Sequence, residues 1–391
     1  MRGLVLEGGG ARGAYHIGVV KAYLERGVVF DGFVGTSIGA INAAILAQGD
    51  FEKALELWQN ISLEQLFELD EKLLITFRES KLDWELTASL PKVIKKVITG
   101  GGFDTKKMKE FLNTYIDESK IRASGKDFGL VTFSLDERKV VEVLLKDIPH
   151  GKLVNYIMAS ASLPGFKSEI IDEKKFLDGG FFNNCPVNLL VDKDYDEIIV
   201  VRTGAPGIFK KVESDAKVRI ISTDDDLGEM LSFTKERSEV NILLGYHDGL
   251  RSIDQLRGWY YYLQPIRPGR IHRKLLNMDP EAVYEIGKIL DLPKIPPQRL
   301  LFEAIIPTLA TVLNLKKDYD YVDFWVGLLE HRAIEKEIDR FRVYTYDEFF
   351  ASIQKAPHRP KEETLLESVL SRNFPNKKVQ ATEKFINHII S

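Results

Sequence analysis

Gly35-Thr36-Ser37-Ile38-Gly39 decides how this chain is read, together with the glycine loop Gly8-Gly9-Gly10-Ala11-Arg12-Gly13 one strand before it. Gly32-Phe33-Val34 is apolar and short enough for a buried strand, and Ala40-Ile41-Asn42-Ala43-Ala44-Ile45-Leu46-Ala47 has helical composition. Ser37 therefore falls on a strand-to-helix turn. That is the setting of a G-x-S-x-G nucleophile elbow, whose tight turn needs small flanks and lifts a hydroxyl above the sheet edge beside a helix N-terminus. The same five residues also suit a serine helix cap with turn glycines, and the pentapeptide alone does not separate the two.

Working outward, Gly3-Leu4-Val5-Leu6 reads as a buried strand that runs straight into the glycine loop. Residues 14–26 follow as a helix with Gly27 as its stop. Val28-Val29-Phe30 and Gly32-Phe33-Val34 give a second strand region, so the N-terminus is a βαβ unit with parallel strands. Loop and elbow then share one edge of the sheet. Residues 50–120 turn helical, with Leu57, Trp58 and Leu66 among polar residues. Within them, the basic amphipathic stretch 82–98 precedes Gly100-Gly101-Gly102 and suits either a surface helix packed on the domain or a lid or interfacial segment. Residues 128–134 and 139–145 form an expected hairpin. Residues 152–160 read as a short helix, and 169–178 as a second hairpin that delivers Asp178-Gly179-Gly180. Strands follow at 197–202 and 217–222. After residue 224 the pattern is mostly helical, with the clearest segments at 242–256, 280–290, 298–315 and 322–338. Two domains are expected, 1–224 and 225–391. The apolar stripe containing Phe302, Ile305, Ile306 and Leu309 is expected to be core.

Composition narrows the classes. With 44% hydrophobic and 29% charged residues, the 391-residue chain can bury a sizeable core, and a net charge of −4 offers no basic field for nucleic acid. The single cysteine, Cys185, forbids an intrachain disulfide and fits a reducing, cytoplasmic setting. A cleavable leader is not expected ahead of a strand at Leu4, nor is a transmembrane helix, because no apolar run is long enough. Any membrane contact would be peripheral.

An acyl-transfer hydrolase needs a nucleophile, a base and donors for the oxyanion. Ser37 is the candidate nucleophile, and Gly8, Gly9 and Gly10 offer converging N–H groups with a helix dipole behind them. Asp178, flanked by two glycines, stands where a carboxylate could reach the serine, although Asp-Gly is also an ordinary turn. A rival reading rests on Gly8, Gly10 and Gly13 as G-x-G-x-x-G, with Asp31 18 residues later as a ribose-binding acid. It accounts for neither the elbow nor Asp178. A phosphate loop fails because no Gly-Lys-Ser/Thr follows. His247 and His272 come late enough for a Ser-Asp-His order, but Ser37 comes too early for a conventional α/β-hydrolase. His16 reads as a packed helix residue, and His150, His331, His358 and His388 stand without partners in sequence. No spacing suggests a metal site, and no cofactor is expected.

Gly8-Gly9-Gly10-Ala11-Arg12-Gly13, Gly35-Thr36-Ser37-Ile38-Gly39 and Asp178-Gly179-Gly180, in this order, resemble the patatin-like phospholipase family. Ala159-Ser160-Ala161-Ser162 with Pro164 is similar to the family's A-S-x-x-x-P stretch. The resemblance covers about residues 1 to 210. It implies a three-layer α/β/α core with a mainly parallel sheet, a Ser37–Asp178 dyad without histidine, and an oxyanion hole at Gly8, Gly9, Gly10 and the loop arginine Arg12, whose own role reads as mainly structural or phosphate-facing. It also implies a phospholipid or lysophospholipid substrate cleaved through an acyl-serine. A neutral-lipid esterase or an acyltransferase would use the same dyad. Self-association is left open.

Overall fold

Arg2–Leu6 forms strand β1 and Gly32–Thr36 strand β2, both almost wholly buried. Continuous apolar strands of this kind belong to parallel sheets covered on both faces. The two pair in parallel, with Gly3 opposite Gly32 and Leu6 opposite Gly35. A 3-10 turn, Gly10–Gly13, and the helix Ala14–Glu25 connect them, which is the expected βαβ unit. Gly27 ends the helix region at φ 73°. Val28-Val29-Phe30 is not strand: Gly27 turns the chain outward, Val29 is exposed, and pairing resumes only where the Asp31 N–H bonds Arg2 O.

In this computed structural model, residues 1–66, 104–163, 166–210, 215–357 and 376–390 are described. The basic stretch 82–98, the glycine run 100–102, Pro164-Gly165 and His358 lie outside them. The remaining sheet strands are β3 (Asp127–Ser134), β4 (Lys139–Leu144), β5 (Glu169–Ile171), β6 (Lys174–Asp178), β7 (Glu197–Val201) and β8 (Lys217–Ile221). Their order is β5-β6-β3-β2-β1-β7-β8, with β4 paired to β3 off that path. From β3 to β8 neighbouring strands run parallel, while β4 and β6 run antiparallel to β3.

Side chains alternate across the sheet. Val5, Val34, Val131, Ile198 and Val200 pack on one face with Leu189, Leu190 and Tyr195. The helix Ile38–Ala47 lies against β1, β2 and β3, on the face to which Gly35 points. Helical segments thus cover both faces of a mainly parallel sheet, as expected for a three-layer α/β/α core.

The chain divides into two compact units, Met1–Leu250 and Arg251–Ser391. The boundary falls after residue 250, not after 224, because helix Lys235–Asp254 closes on helix Ala14–Glu25. A Cβ at Gly18 would stand 1.9 Å from Ile242 O, and one at Gly245 2.1 Å from Tyr15 O. The Tyr15 hydroxyl also donates to buried Asp248 at 2.8 Å. Paired glycines of this kind let two helix backbones approach closely, so the helix that was expected to open the second region completes the first.

The second unit is mostly helical, as expected. Leu300, Leu301, Ile305, Ile306 and Leu309 sit in its core with Phe324, Trp325 and Phe385. Ahead of Pro307 the chain takes a π-helical turn, Leu300–Ile305, and the Ile306 N–H reaches back to Leu301 O. Pro307 has no N–H to continue an α-helical ladder, which favours such a widened turn. Helices Pro268–Leu276, Tyr346–Lys355 and Asn376–Ile390, and a two-residue parallel pairing of Tyr262–Leu263 with Val343–Tyr344, were not legible from periodicity.

Candidate active site

Ser37 follows the last residue of β2 and precedes helix Ile38–Ala47, at φ 57° and ψ −126°. A non-glycine residue in that region is strained, and such strain gathers at functional sites. Its hydroxyl makes no capping bond to the helix, so the capping reading is not the one the chain adopts. The flanking glycines allow the turn: a Cβ at Gly39 would stand 2.1 Å from Leu6 O, and one at Gly35 2.3 Å from Gly39 C.

The register of β3 brings Asp178 to this elbow. Gly129 pairs with both β2 and β4, and Thr132 pairs with both β4 and β6, so β2 and β6 share one edge of β3. On that edge β2 ends with Thr36 opposite Val131, and β6, running the other way, ends with Asp178 opposite Thr132. The C-terminal ends of two strands about 140 residues apart in the chain therefore meet head to head across consecutive residues of β3. Ser37 and Asp178 sit at that meeting.

Asp178 is buried, and one carboxyl oxygen, Oδ1, accepts the Gly180 N–H at 2.7 Å. The other oxygen, Oδ2, is buried and makes no bond of ordinary length and angle among the described residues. Burial raises the carboxyl to about 6, and the nearby Ser37 hydroxyl and the Gly180 N–H oppose that rise. The serine is thus close enough to interact while an ordinary hydrogen bond is not closed. Catalytic hydrogen bonds often tighten only when substrate is bound.

The glycine loop adjoins the elbow, since a Cβ at Gly8 would lie 3.3 Å from Ser37 Cβ. Its amides are not equivalent. The Gly8 N–H donates to Asn184 O at 3.1 Å, which removes it from the set of free donors named from sequence. Among the described residues, the N–H groups of Gly9 and Gly10 have no hydrogen bond. Gly10 holds φ 56° with Met230 O 2.0 Å from where a Cβ would be, so only glycine fits there without a shift. The Arg12 side chain ties the loop down, in keeping with a mainly structural role: its guanidinium donates to Gly228 O at 2.7 Å and Gly204 O at 3.3 Å.

Glu7 escaped notice in the sequence, although an acid directly after a buried strand is a signal. It is buried beneath the loop and accepts from Arg202 Nε and Nη2 at 3.0 and 2.9 Å. The Thr203 and Gly204 N–H groups also donate to it, at 2.7 and 3.0 Å. The Thr203 hydroxyl in turn donates to Gly8 O at 2.6 Å, so the carboxylate anchors the loop through β7's end.

The other sequence candidates are placed elsewhere. His16 is fully buried in the first helix, where Asn42 Nδ2 stands 3.2 Å from Nδ1, and burial lowers its pKa to about 3. His247 contacts Leu243 O of its own helix, and the His272 ring lies tilted against Phe302 and Tyr321 in the second unit. Among the described residues, no histidine is among the groups that set the ionisation of Asp178. Asp31 precedes β2 and accepts the Arg2 N–H at 2.6 Å. It lies at the N-terminal end of the strands, roughly 15 Å from the glycine loop at about 3.3 Å per residue, so it is not placed for a ribose. Cys185 is a core residue whose thiol burial pushes well up.

Among the described residues, one group of metal-ligand type exists: His331, Glu335 and Glu383 in the second unit. His331 Nδ1 is 3.8 Å from Glu335 and 3.7 Å from Glu383, which corrects the reading of His331 as isolated. Arg332 bridges both carboxylates at 2.8 Å, so the cluster already carries a balancing cation.

Fold and site together define a three-layer α/β domain with a serine on a strand-to-helix elbow. Residues 4–191 match the family model described as patatin-like phospholipase. Lysophospholipase NTE1 of Mycosarcoma maydis is 28% identical over 204 residues, covering 52% of this chain and 10% of that protein. Lysophospholipase NTE1 of Coccidioides immitis is 31% identical over 205 residues, 52% of this chain and 11% of that protein. Patatin-like phospholipase domain-containing protein 6 of Homo sapiens is 28% identical over 205 residues, 52% and 13%. The chain thus matches only about a tenth of the length of these relatives. Among solved structures, VipD from Legionella pneumophila is 14% identical, with a TM-score of 0.39 over 100% of this chain and 91% of that one. At that score the likeness bears on nothing further.

Proposed function

We propose that this chain is a serine acyl hydrolase that cleaves fatty-acyl ester bonds of phospholipids or lysophospholipids through Ser37 and Asp178. The observation that carries the reading is the head-to-head meeting of β2 and β6, which leaves a buried Asp178 oxygen, with no bond of ordinary geometry among the described residues, beside a strained Ser37. The family-model match supports the substrate class, and two of the named relatives are lysophospholipases. A carboxylate at its ordinary pKa is a weak base, and a pKa near 6 lets Asp178 be ionised at neutral pH while accepting a proton more readily.

Ser37 Oγ attacks the ester carbonyl carbon as its proton passes to Asp178. The oxyanion that forms is held by the free N–H groups of Gly9 and Gly10, with the loop fixed from below by Glu7 and Arg12. Collapse breaks the ester C–O bond, and Asp178 gives its proton to the leaving oxygen. A water then loses a proton to Asp178 and attacks the acyl-serine, releasing the fatty acid and returning the proton to Ser37. No other base is required.

Release of fatty acid from phosphatidylcholine and lysophosphatidylcholine vesicles, followed for the wild type and Ser37→Ala, tests the reading. Acid release that vanishes in the variant supports it. Release that persists in Ser37→Ala, or its absence from the wild type on every acyl ester tried, contradicts it.

A further inference from the structure

The stretch Ala159-Ser160-Ala161-Ser162 ends the helix Leu153–Ser160, which packs on β3, β5 and β6. It touches both members of the candidate dyad from behind. The buried Ser160 hydroxyl donates to Val131 O at 2.6 Å and accepts the Ser37 N–H at 3.0 Å. Two residues on, the Ser162 carbonyl accepts the Asp178 N–H at 2.9 Å. Val131 is the β3 residue at which β2 stops pairing, one place before β6 begins. The Ser160 oxygen therefore bridges the sheet where its ladder is interrupted, and the interruption is the site.

We infer that Ser160 is a positioning residue for Ser37: its hydroxyl holds the elbow in its strained conformation and, with the Ser162 carbonyl, sets the spacing between Ser37 and Asp178. This rests on the reading of those two residues as the dyad. The chemistry requires one atom that both donates and accepts inside a fully buried space, and among small side chains a hydroxyl does this. Alanine at 160 would leave the Ser37 N–H and Val131 O facing each other across a gap, both buried and unbonded. The elbow would then relax from φ 57°, and Ser37 Oγ would move relative to Asp178. The hydroxyl contacts neither substrate nor reacting atoms, so the effect is on the rate of the chemical step rather than on binding.

The test uses the full chain, with active sites counted by a serine-directed fluorophosphonate and kcat and KM measured per counted site on a p-nitrophenyl acyl ester. Ser160→Ala is expected to lower kcat by roughly 10- to 100-fold, as a displacement near 1 Å does, with KM within about threefold. Ser160→Thr, which keeps the hydroxyl, is expected to recover most of the loss. A merely structural role would reduce the fraction of sites counted and leave kcat per site unchanged, and that result in Ser160→Ala overturns the inference. If Ser160→Ala does not fold, Ser160→Cys takes its place, because a thiol is close in size but a weak donor and acceptor. Wild-type kcat per site in Ser160→Cys overturns the inference equally. Failure of the fluorophosphonate to label Ser37 in the wild type removes the dyad beneath it and the inference as well. Normal wild-type labelling with an unaffected Ser160→Ala removes the inference alone.

Discussion

Two buried carboxylates stand near the same edge of the sheet, and the chain treats them in opposite ways. Glu7, after β1, accepts from Arg202 and from the Thr203 and Gly204 amides, so both oxygens are satisfied and a cation balances the charge. Asp178, at the end of β6, has one amide on one oxygen, nothing of ordinary geometry on the other among the described residues, and burial that raises its pKa to about 6. A saturated carboxylate has no capacity left for a moving proton, whereas an under-satisfied one does. The first holds the glycine loop, and the second is suited to act as a base.

The comparison can be broken at several points. Ser37→Ala should have the largest effect, a loss of ester hydrolysis on the order of 10⁴-fold or more, read as initial rates at matched concentrations of folded protein. Asp178→Asn should lose roughly 10³- to 10⁴-fold while gaining stability at pH 8. The sign follows from the raised pKa. The fold favours the protonated carboxyl, so its stabilising contribution is complete below the unfolded value of 3.8 and lost as pH rises through about 6. The asparagine variant escapes that loss, on the order of 3 kcal/mol, and urea denaturation of both proteins at pH 8 measures it. The opposite pattern is expected for Glu7→Gln, with stability down by about 3 kcal/mol and kcat per fluorophosphonate-counted site within a few-fold. A Glu7→Gln variant that is stable but inactive would show that Glu7 does more than hold the loop.

Smaller effects sharpen the picture. The base must be ionised, so kcat/KM should rise about tenfold per pH unit below about 6 and level off above it. A flat profile from pH 4.5 to 7.5 would contradict Asp178 as the base. The smallest change should follow His247→Ala, whose rate should stay within about twofold of wild type because its ring bonds its own helix. A large loss there, in folded protein, would favour a triad.

Much of this was legible in the sequence. The βαβ unit, both hairpins and the elbow follow from apolar runs broken at glycines, and Ser37, Asp178 and the glycine loop all come to the same sheet edge. Other features were not legible. Which loop amides remain free depends on Asn184 and Met230, residues about 175 and 220 positions away in the chain, and no local pattern encodes such a pairing. The loop arginine Arg12 reads as mainly structural or phosphate-facing, but its partners Gly204 and Gly228, which make it a tie, lie too far along the chain to be named from the loop. The unit boundary was read where strand signals fade, but Gly18 and Gly245 bring a later helix back onto the first, a contact invisible to composition. The roles of Glu7 and Ser160 likewise emerge only from partners distant in sequence.

The most direct test of the central claim is the site and rate of fluorophosphonate modification, mapped by peptide mass spectrometry for the wild type and Asp178→Asn across pH 5 to 8. The expected result is a single adduct at Ser37, formed faster as pH rises through about 6 and slowed by orders of magnitude in the asparagine variant. An adduct on another residue, or modification of Ser37 at the wild-type rate in Asp178→Asn, would contradict it.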